Sequence, residues 1–196
     1  MKRGQHHGAL RQLLIDTALG LLDRDGVEAV TIRAVARASG VSHAAPANHF
    51  ADRRALLTAL AVQCFIDLRT GASAARAAAS PSPRARIIAF ADAYVAYALA
   101  HPNRYRMMWR MDMLDPGDRA LADLVDGLYA GVEEDVRALR GKDAHNAGDA
   151  TTLLIALSSV VHGYVAMRID GNFVAAIDET SGKPRHEAII EQMIGQ

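Results

Sequence analysis

Cysteine is nearly absent: Cys64 stands alone in 196 residues, so no internal disulfide can form, a stapled secreted scaffold is excluded, and a reducing interior fits. Excess charge is absent too. Lysine and arginine number 22, as do aspartate and glutamate, which removes the bulk argument for a nucleic-acid coat or a membrane-surface polycation. No run approaches the roughly 18 uninterrupted apolar residues of a spanning helix, and no apolar signal-peptide core follows the first eight residues. The chain is therefore expected to be soluble and cytoplasmic, with no membrane partner. Metal and catalytic signatures are missing as well. No His-x-x-x-His or Cys-x-x-Cys spacing, glycine-rich phosphate loop or Gly-x-Ser-x-Gly elbow occurs, and His101, His145, His162 and His186 lie far apart. Neither a cofactor nor an enzymatic activity is expected. Valine, isoleucine and threonine together total 31 against 38 alanines, which disfavours an all-β fold from the start.

What is present is helix. Hydrophobic residues make up 51% of the chain, enough for a sizeable core, and alanine with 19 leucines favours helix because alanine loses no side-chain entropy there. Leu10, Leu13, Leu14, Thr17, Ala18, Leu21 and Leu22 form an apolar stripe that Asp25-Gly26 closes. Thr31 can cap a second helix running through Ala38, Ser39-Gly40-Val41 makes a short turn, and Ser42 can cap a third helix of about seven residues. Two short helices joined by a glycine turn form a helix-turn-helix. Pro46 falls early enough in the third helix to remove only its first hydrogen bond, so a short helix is expected to survive. Asp52 caps a fourth helix reaching about Arg69, and the stretch GASAARAAASPSP over 71–83 reads as a boundary.

Beyond the boundary, helical patterns cover 84–100, 102–113, 118–139, 148–169 and 185–194. The expected fold is all-α: an N-terminal helix-turn-helix domain over 9–55, a connecting helix and linker over 56–83, and a larger helical bundle over 84–196, about nine helices in all. The zero net charge is unevenly spread. Residues 1–54 carry eight basic and five acidic groups, whereas 55–196 carry 14 and 17, so the helix-turn-helix lies in the positive part.

The run Thr31-Ile32-Arg33-Ala34-Val35-Ala36-Arg37-Ala38-Ser39-Gly40-Val41-Ser42, followed by His49-Phe50, Arg53 and Leu56-Leu57, resembles the DNA-binding region of the tetracycline-repressor (TetR) family of bacterial regulators. The likeness covers roughly 10–57. The C-terminal part resembles the variant ligand-binding domain named for a Trp-His-Gly motif, through His101-Pro102-Asn103-Arg104-Tyr105, Trp109 and Val161-His162-Gly163. Ser158 stands where that variant usually has its tryptophan.

The resemblance implies roles residue by residue. Thr31 and Arg33 would lie at a helix N-terminus that meets a phosphate, and Ser42, His43, Ala44 and Ala45 would head the helix that enters the major groove. His49 and Arg53 match phosphate-gripping positions. Ala47 replaces the usual aromatic residue, and Asn48 could read an adenine edge or contact phosphate.

In the C-terminal part, the aromatic and methionine cluster from Tyr94 to Met113 suits either a core or a pocket in a helical bundle. Tyr94, Tyr97, Met108, Trp109, Tyr129 and His162 are the candidate pocket residues. The last two helices are apolar enough for a symmetric four-helix dimer interface. The expected protein is thus a homodimeric regulator, a repressor, that binds a palindromic double-stranded DNA operator and is released by a small apolar effector. The alternative is a helical small-molecule binding module with weakened DNA binding.

Overall fold

Alanine and leucine at helical spacing produce nine α-helices among the described residues: α1 (Arg3–Asp25), α2 (Ile32–Ala38), α3 (Arg53–Ala78), α4 (Pro83–Ala100), α5 (Pro102–Met108), α6 (Arg119–Leu128), α7 (Ala130–Arg140), α8 (Ala147–Ile169) and α9 (Arg185–Ile194). The computed structural model describes residues 3–42, 44–141, 147–172 and 175–195, the side chains of 3–7 and 147–149 excepted. Short 3-10 turns occupy Val27–Ala29, Pro46–Asn48 and Met111–Met113. The all-α class and the two-part division into a helix-turn-helix and a larger bundle are as the sequence predicts.

Several boundaries differ, each for a local reason. The alanines after Arg69 are helix formers and no proline intervenes before Pro81, so α3 continues to Ala78 through the expected linker. The pattern over 118–139 is two helices, broken at Tyr129 just after the poor helix former Gly127. The largest correction concerns the third helix. Pro46 has no N–H to give the carbonyl of Ser42, and the chain closes shorter bonds instead: Ala45 N donates to Ser42 O at 3.0 Å, and Asn48 N to Ala45 O at 3.3 Å. The result is a turn and one 3-10 turn rather than an α-helix.

The packing separates two units that do not follow chain order. Unit 1 runs through Ile66 and resumes over His101–Val125; unit 2 takes Asp67–Ala100 and the chain from Asp126 onward. The expected division at 55 and 83 therefore misses that the segment after His101 returns to the N-terminal helices. In unit 1, Arg104 grips Asp23 with two hydrogen bonds, Nε to Oδ1 at 2.8 Å and Nη2 to Oδ2 at 2.6 Å, and Asn103 donates to the Asp23 carbonyl at 3.1 Å. These contacts tie α5 to the end of α1. Leu14, Ala18 and Leu22 of α1, Val35 of α2, and Leu56 and Leu60 of α3 are fully buried in this unit, as is Met108. Thr58, also buried, accepts from Asp115 N at 2.9 Å and donates to Arg54 O at 2.8 Å, so its hydroxyl is satisfied.

In unit 2, α4 packs on α7, α8 and α9, and α7 on α8. Its most demanding feature is Asp135, a carboxylate 1% exposed. Arg76 Nε of α3 meets one oxygen at 2.5 Å and Arg86 Nε of α4 the other at 2.7 Å. A side chain at position 131 would place its Cβ 2.8 Å from the Arg76 guanidinium, so Gly131 leaves the arginine its path. Two helices, α3 and residues 150–169 of α8, are long and apolar enough by length and composition to cross a membrane, although Gln63, Asp67 and Arg69 break the apolar run of α3 and Ser158, Ser159 and His162 that of α8. Of the most apolar window, 56% is buried inside the protein in α3 but only 33% in α8, where Ile155 and Met167 stay exposed.

Removing a buried charge partner leaves the others desolvated and unpaired. Asp135→Asn, which strands two partly exposed arginines, is expected to lower stability by about 2–3 kcal/mol in urea unfolding. Replacing Glu134, whose side chain is 75% exposed, should change it by less than about 0.5 kcal/mol.

Candidate functional site

Two places in the chain gather functional side chains. The first is the helix-turn-helix of unit 1. Gly26 ends α1 at φ 79°, a conformation a β-carbon disfavours, and its N–H returns to Leu22 O at 3.0 Å. Thr31 caps α2 by accepting from Ala34 N at 3.1 Å, a contact worth about 1 kcal/mol. Gly40, at φ 68°, turns the chain so that Val41 N reaches back to Ala36 O at 3.2 Å. These three residues point Arg33 and Arg37 of α2 outward and leave Ser42, Ala44, Ala47 and Asn48 exposed in the turn that follows. Ala45 and His49 are half-buried, and Pro46 and Phe50 are buried beneath. The guanidinium of Arg11 lies over the Phe50 ring, 5.5 Å from its centroid, and holds the end of this segment to α1. His43 lies outside the described residues.

Arg53 behaves differently from the other expected DNA contacts. Its Nε donates to Val30 O at 2.8 Å and its Nη2 to Val27 O at 2.7 Å, with Glu28 at 3.2 Å. The planar fork fastens the turn before α2 to the first residue of α3. Arg53→Lys, which keeps the charge but not the fork, is expected to cost about 1–2 kcal/mol in thermal unfolding, where Arg33→Lys changes nothing measurable.

The second place is a cavity in unit 2 of about 20 Å³, enough for one water-sized body. Ile87, Phe90, Ala91 and Tyr94 of α4 form one side, with Tyr129 at the start of α7, Val132 of α7, Leu157, Ser158 and Val161 of α8, and Ile190 of α9 completing it. None of these side chains is charged. The Phe90 ring lies 5.9 Å from that of Tyr129 and 6.3 Å from that of Tyr94, both tilted. Burial pushes the Tyr129 phenol up from its usual 10.0, with a hydrogen bond from Tyr94 opposing the shift, so the lining stays neutral. Among the described residues no group of three or more His, Cys, Asp or Glu side chains could hold a metal ion.

Comparison with known proteins places this architecture. Residues 14–60 match the family model described as bacterial regulatory proteins, tetR family, and residues 87–193 match the tetracyclin repressor-like C-terminal domain. The chain belongs to the TetR family of transcriptional regulators. Among its relatives, the uncharacterized HTH-type transcriptional regulator Rv0681 of Mycobacterium tuberculosis is 30% identical over 166 residues, covering 82% of this chain and 71% of that protein. The HTH-type transcriptional regulator BetI of Burkholderia thailandensis is 29% identical over 152 residues, 74% and 77% of the two chains. A protein of unknown function from Rhodococcus sp. RHA1 superposes with a TM-score of 0.77 at 30% identity, over 98% of this chain and 97% of that one. PfmR, a TetR family transcriptional regulator from Thermus thermophilus, shares the fold with a TM-score of 0.63 at 18% identity, over 92% and 94%.

In this TetR-family chain, the six expected pocket residues separate. Tyr94 and Tyr129 line the cavity; Tyr97 and His162 belong to unit 2 but not to its lining. Met108 and Trp109 lie in unit 1, where the indole packs edge-on against Phe65 at 5.4 Å. The aliphatic members of the lining, such as Ile87, Val132 and Val161, fall inside helical patterns that do not distinguish a pocket wall from core, and Ser158 stands out in the sequence only as a missing tryptophan. Burial holds the His162 imidazole below its usual value of 6.5. The unfolded chain therefore takes up this proton first, and the neutral folded form loses stability as pH falls through 6.5. His162→Phe is expected to flatten that decline when urea unfolding is compared at about pH 7.5 and pH 5.5.

Proposed function

We propose that the protein is a homodimeric, ligand-responsive repressor that binds a palindromic DNA operator and leaves it when a small apolar molecule enters the unit 2 bundle. The observation that carries this reading is the pairing, in one chain, of an exposed helix-turn-helix face with a separate charge-free cavity. On the DNA side, Arg33 grips a phosphate, while Ser42, His43, Ala44, Ala45 and Asn48 meet the major groove, with short side chains allowing close backbone approach. Thr31 orders the N-terminus of α2, and Arg53 positions the turn before that helix rather than meeting DNA as its main task. His49 supplies a further backbone contact. Two copies would place these faces on half-sites about 34–36 Å apart.

The dimer is supported by α8, which leaves Ile155 at 61% and Met167 at 43% exposure on an apolar helix that a second copy would cover. Binding of effector and of DNA oppose each other, so each weakens the other by the same factor. The site of action is the cytoplasm, where the operator is found.

A test starts with a duplex that the full chain selects from a random-sequence pool. Arg33→Ala is expected to weaken binding to all duplexes alike and to lower the slope of log affinity against log salt by about 0.9. Asn48→Ala should instead change the order of preference among duplexes. Failure to select any duplex at low salt overturns the repressor reading in favour of a small-molecule binding module, the reading that Ala47 and the shortened turn at Pro46 favour.

A further inference from the structure

We propose that the unit 2 cavity takes an uncharged molecule about the size of one aromatic ring with a single hydrogen-bonding oxygen, and that Ile190 is the plug this molecule displaces. The proposal rests on the ligand-responsive reading above and names the ligand's chemistry. Charge is excluded by the walls. An ion entering here would shed its water and find no counter-charge, because the lining is uncharged and the buried carboxylate of unit 2, Asp135, already has both oxygens engaged by Arg76 and Arg86. Polar capacity is confined to hydroxyls. The phenol of Tyr94 opposes the upward shift that burial gives Tyr129, which sets the two hydroxyls beside each other, and the hydroxyl of Ser158 donates to Leu154 O at 2.8 Å. The two tyrosine hydroxyls can serve one ligand oxygen, while a lone water would find few of the partners it needs.

The rings of Phe90, Tyr94 and Tyr129 offer tilted faces on one side, and Leu157, Val161 and Ile190 an aliphatic surface on the other, which together suit a flat ring. The present gap of about 20 Å³ is too small for such a ring, whereas an apolar cavity of about 150 Å³ admits benzene. Room has to come from a movable wall. Of the four helices, α9 is the shortest, with ten residues, and Ile190 is its one buried side chain. Elsewhere α9 is held by contacts at its margins: His186 to Asp92 at 2.7 Å and, ring on ring, to Tyr164 at 5.6 Å, and Glu191 to Lys183 at 2.6 Å and Arg84 at 3.7 Å. Lifting Ile190 out adds its side-chain volume to the gap without breaking the α4, α7 and α8 packing.

Benzyl alcohol, benzoate and benzylammonium share a ring and differ in charge, and their binding to the full chain is measured by ligand-observed NMR near pH 7. Benzyl alcohol is expected to bind the native protein, and to bind Ile190→Ala at least about tenfold more tightly because the displacement step is gone. The two ions should bind at least about 100-fold more weakly to both proteins. Ile190→Val, which removes one methyl and which a core tolerates, should tighten benzyl alcohol in the same direction, so the result does not hang on the folding of the alanine variant. No binding of benzyl alcohol to the native protein at 10 mM probe (about 10⁻² M), equal affinity in native and Ile190 variants, or equal binding of the ions overturns the proposal. Selection of a duplex in the absence of any probe is scored separately, so loss of the ligand class leaves DNA binding standing and loss of DNA binding leaves the ligand class standing.

Discussion

Asp135 is a carboxylate taken out of water, and the arrangement of unit 2 answers to it. An isolated charge at 1% exposure is untenable, so two arginines have to reach it from other helices, and their reach fixes which turns of α3, α4 and α7 face one another. Arg76 gets there only because position 131 is glycine. Apolar packing alone would allow α4 and α7 to slide, since leucine and valine stripes accept neighbouring registers with little loss. The shared carboxylate removes that freedom. With α4 and α7 fixed, Phe90 and Tyr129 are held ring to ring, and the small gap beneath them follows.

The same physics works at the other end of α3. Arg53 uses its fork on backbone carbonyls at 27 and 30, which lie in the turn entering α2 and would otherwise look to water. An arginine that looks like a phosphate clamp by position is thus the fastener of the helix-turn-helix. Its neighbour Arg54 does comparable work, donating to Leu114 O at 2.7 Å and Asp112 O at 3.3 Å. Arg33 and Arg37 of α2, by contrast, are exposed.

Much of this is legible in the sequence, wherever the cause is local. Gly26, Thr31 and Gly40 act through bonds spanning three to five residues, and each does what its position in the sequence predicts. Pro46 costs the third helix more than its early position suggests. In a helix of only about seven residues, losing one hydrogen bond removes too much for the remainder to stay α. The biased composition of the alanine run after Arg69 suggests a linker, yet nothing in it opposes helix until the prolines. Met107, Met108 and Trp109 look like a pocket wall by composition, but methionine and aromatic residues suit a core equally well, and Arg104 on Asp23 draws them to the N-terminal helices.

The sequence by itself determined the helical class, the turn chemistry of the helix-turn-helix and the family, because propensity, capping and glycine conformation depend on neighbours along the chain. Only the tertiary structure decided that His101–Val125 joins the N-terminal unit, that Arg53 serves the backbone, and that Tyr94 and Tyr129 share a cavity with Ile190. Those outcomes depend on pairs up to about a hundred residues apart, such as Tyr94 and Ile190. Hydrophobic periodicity marks a face for burial without naming its partner, and it takes directional contacts, here arginine on a carboxylate or a carbonyl, to choose one.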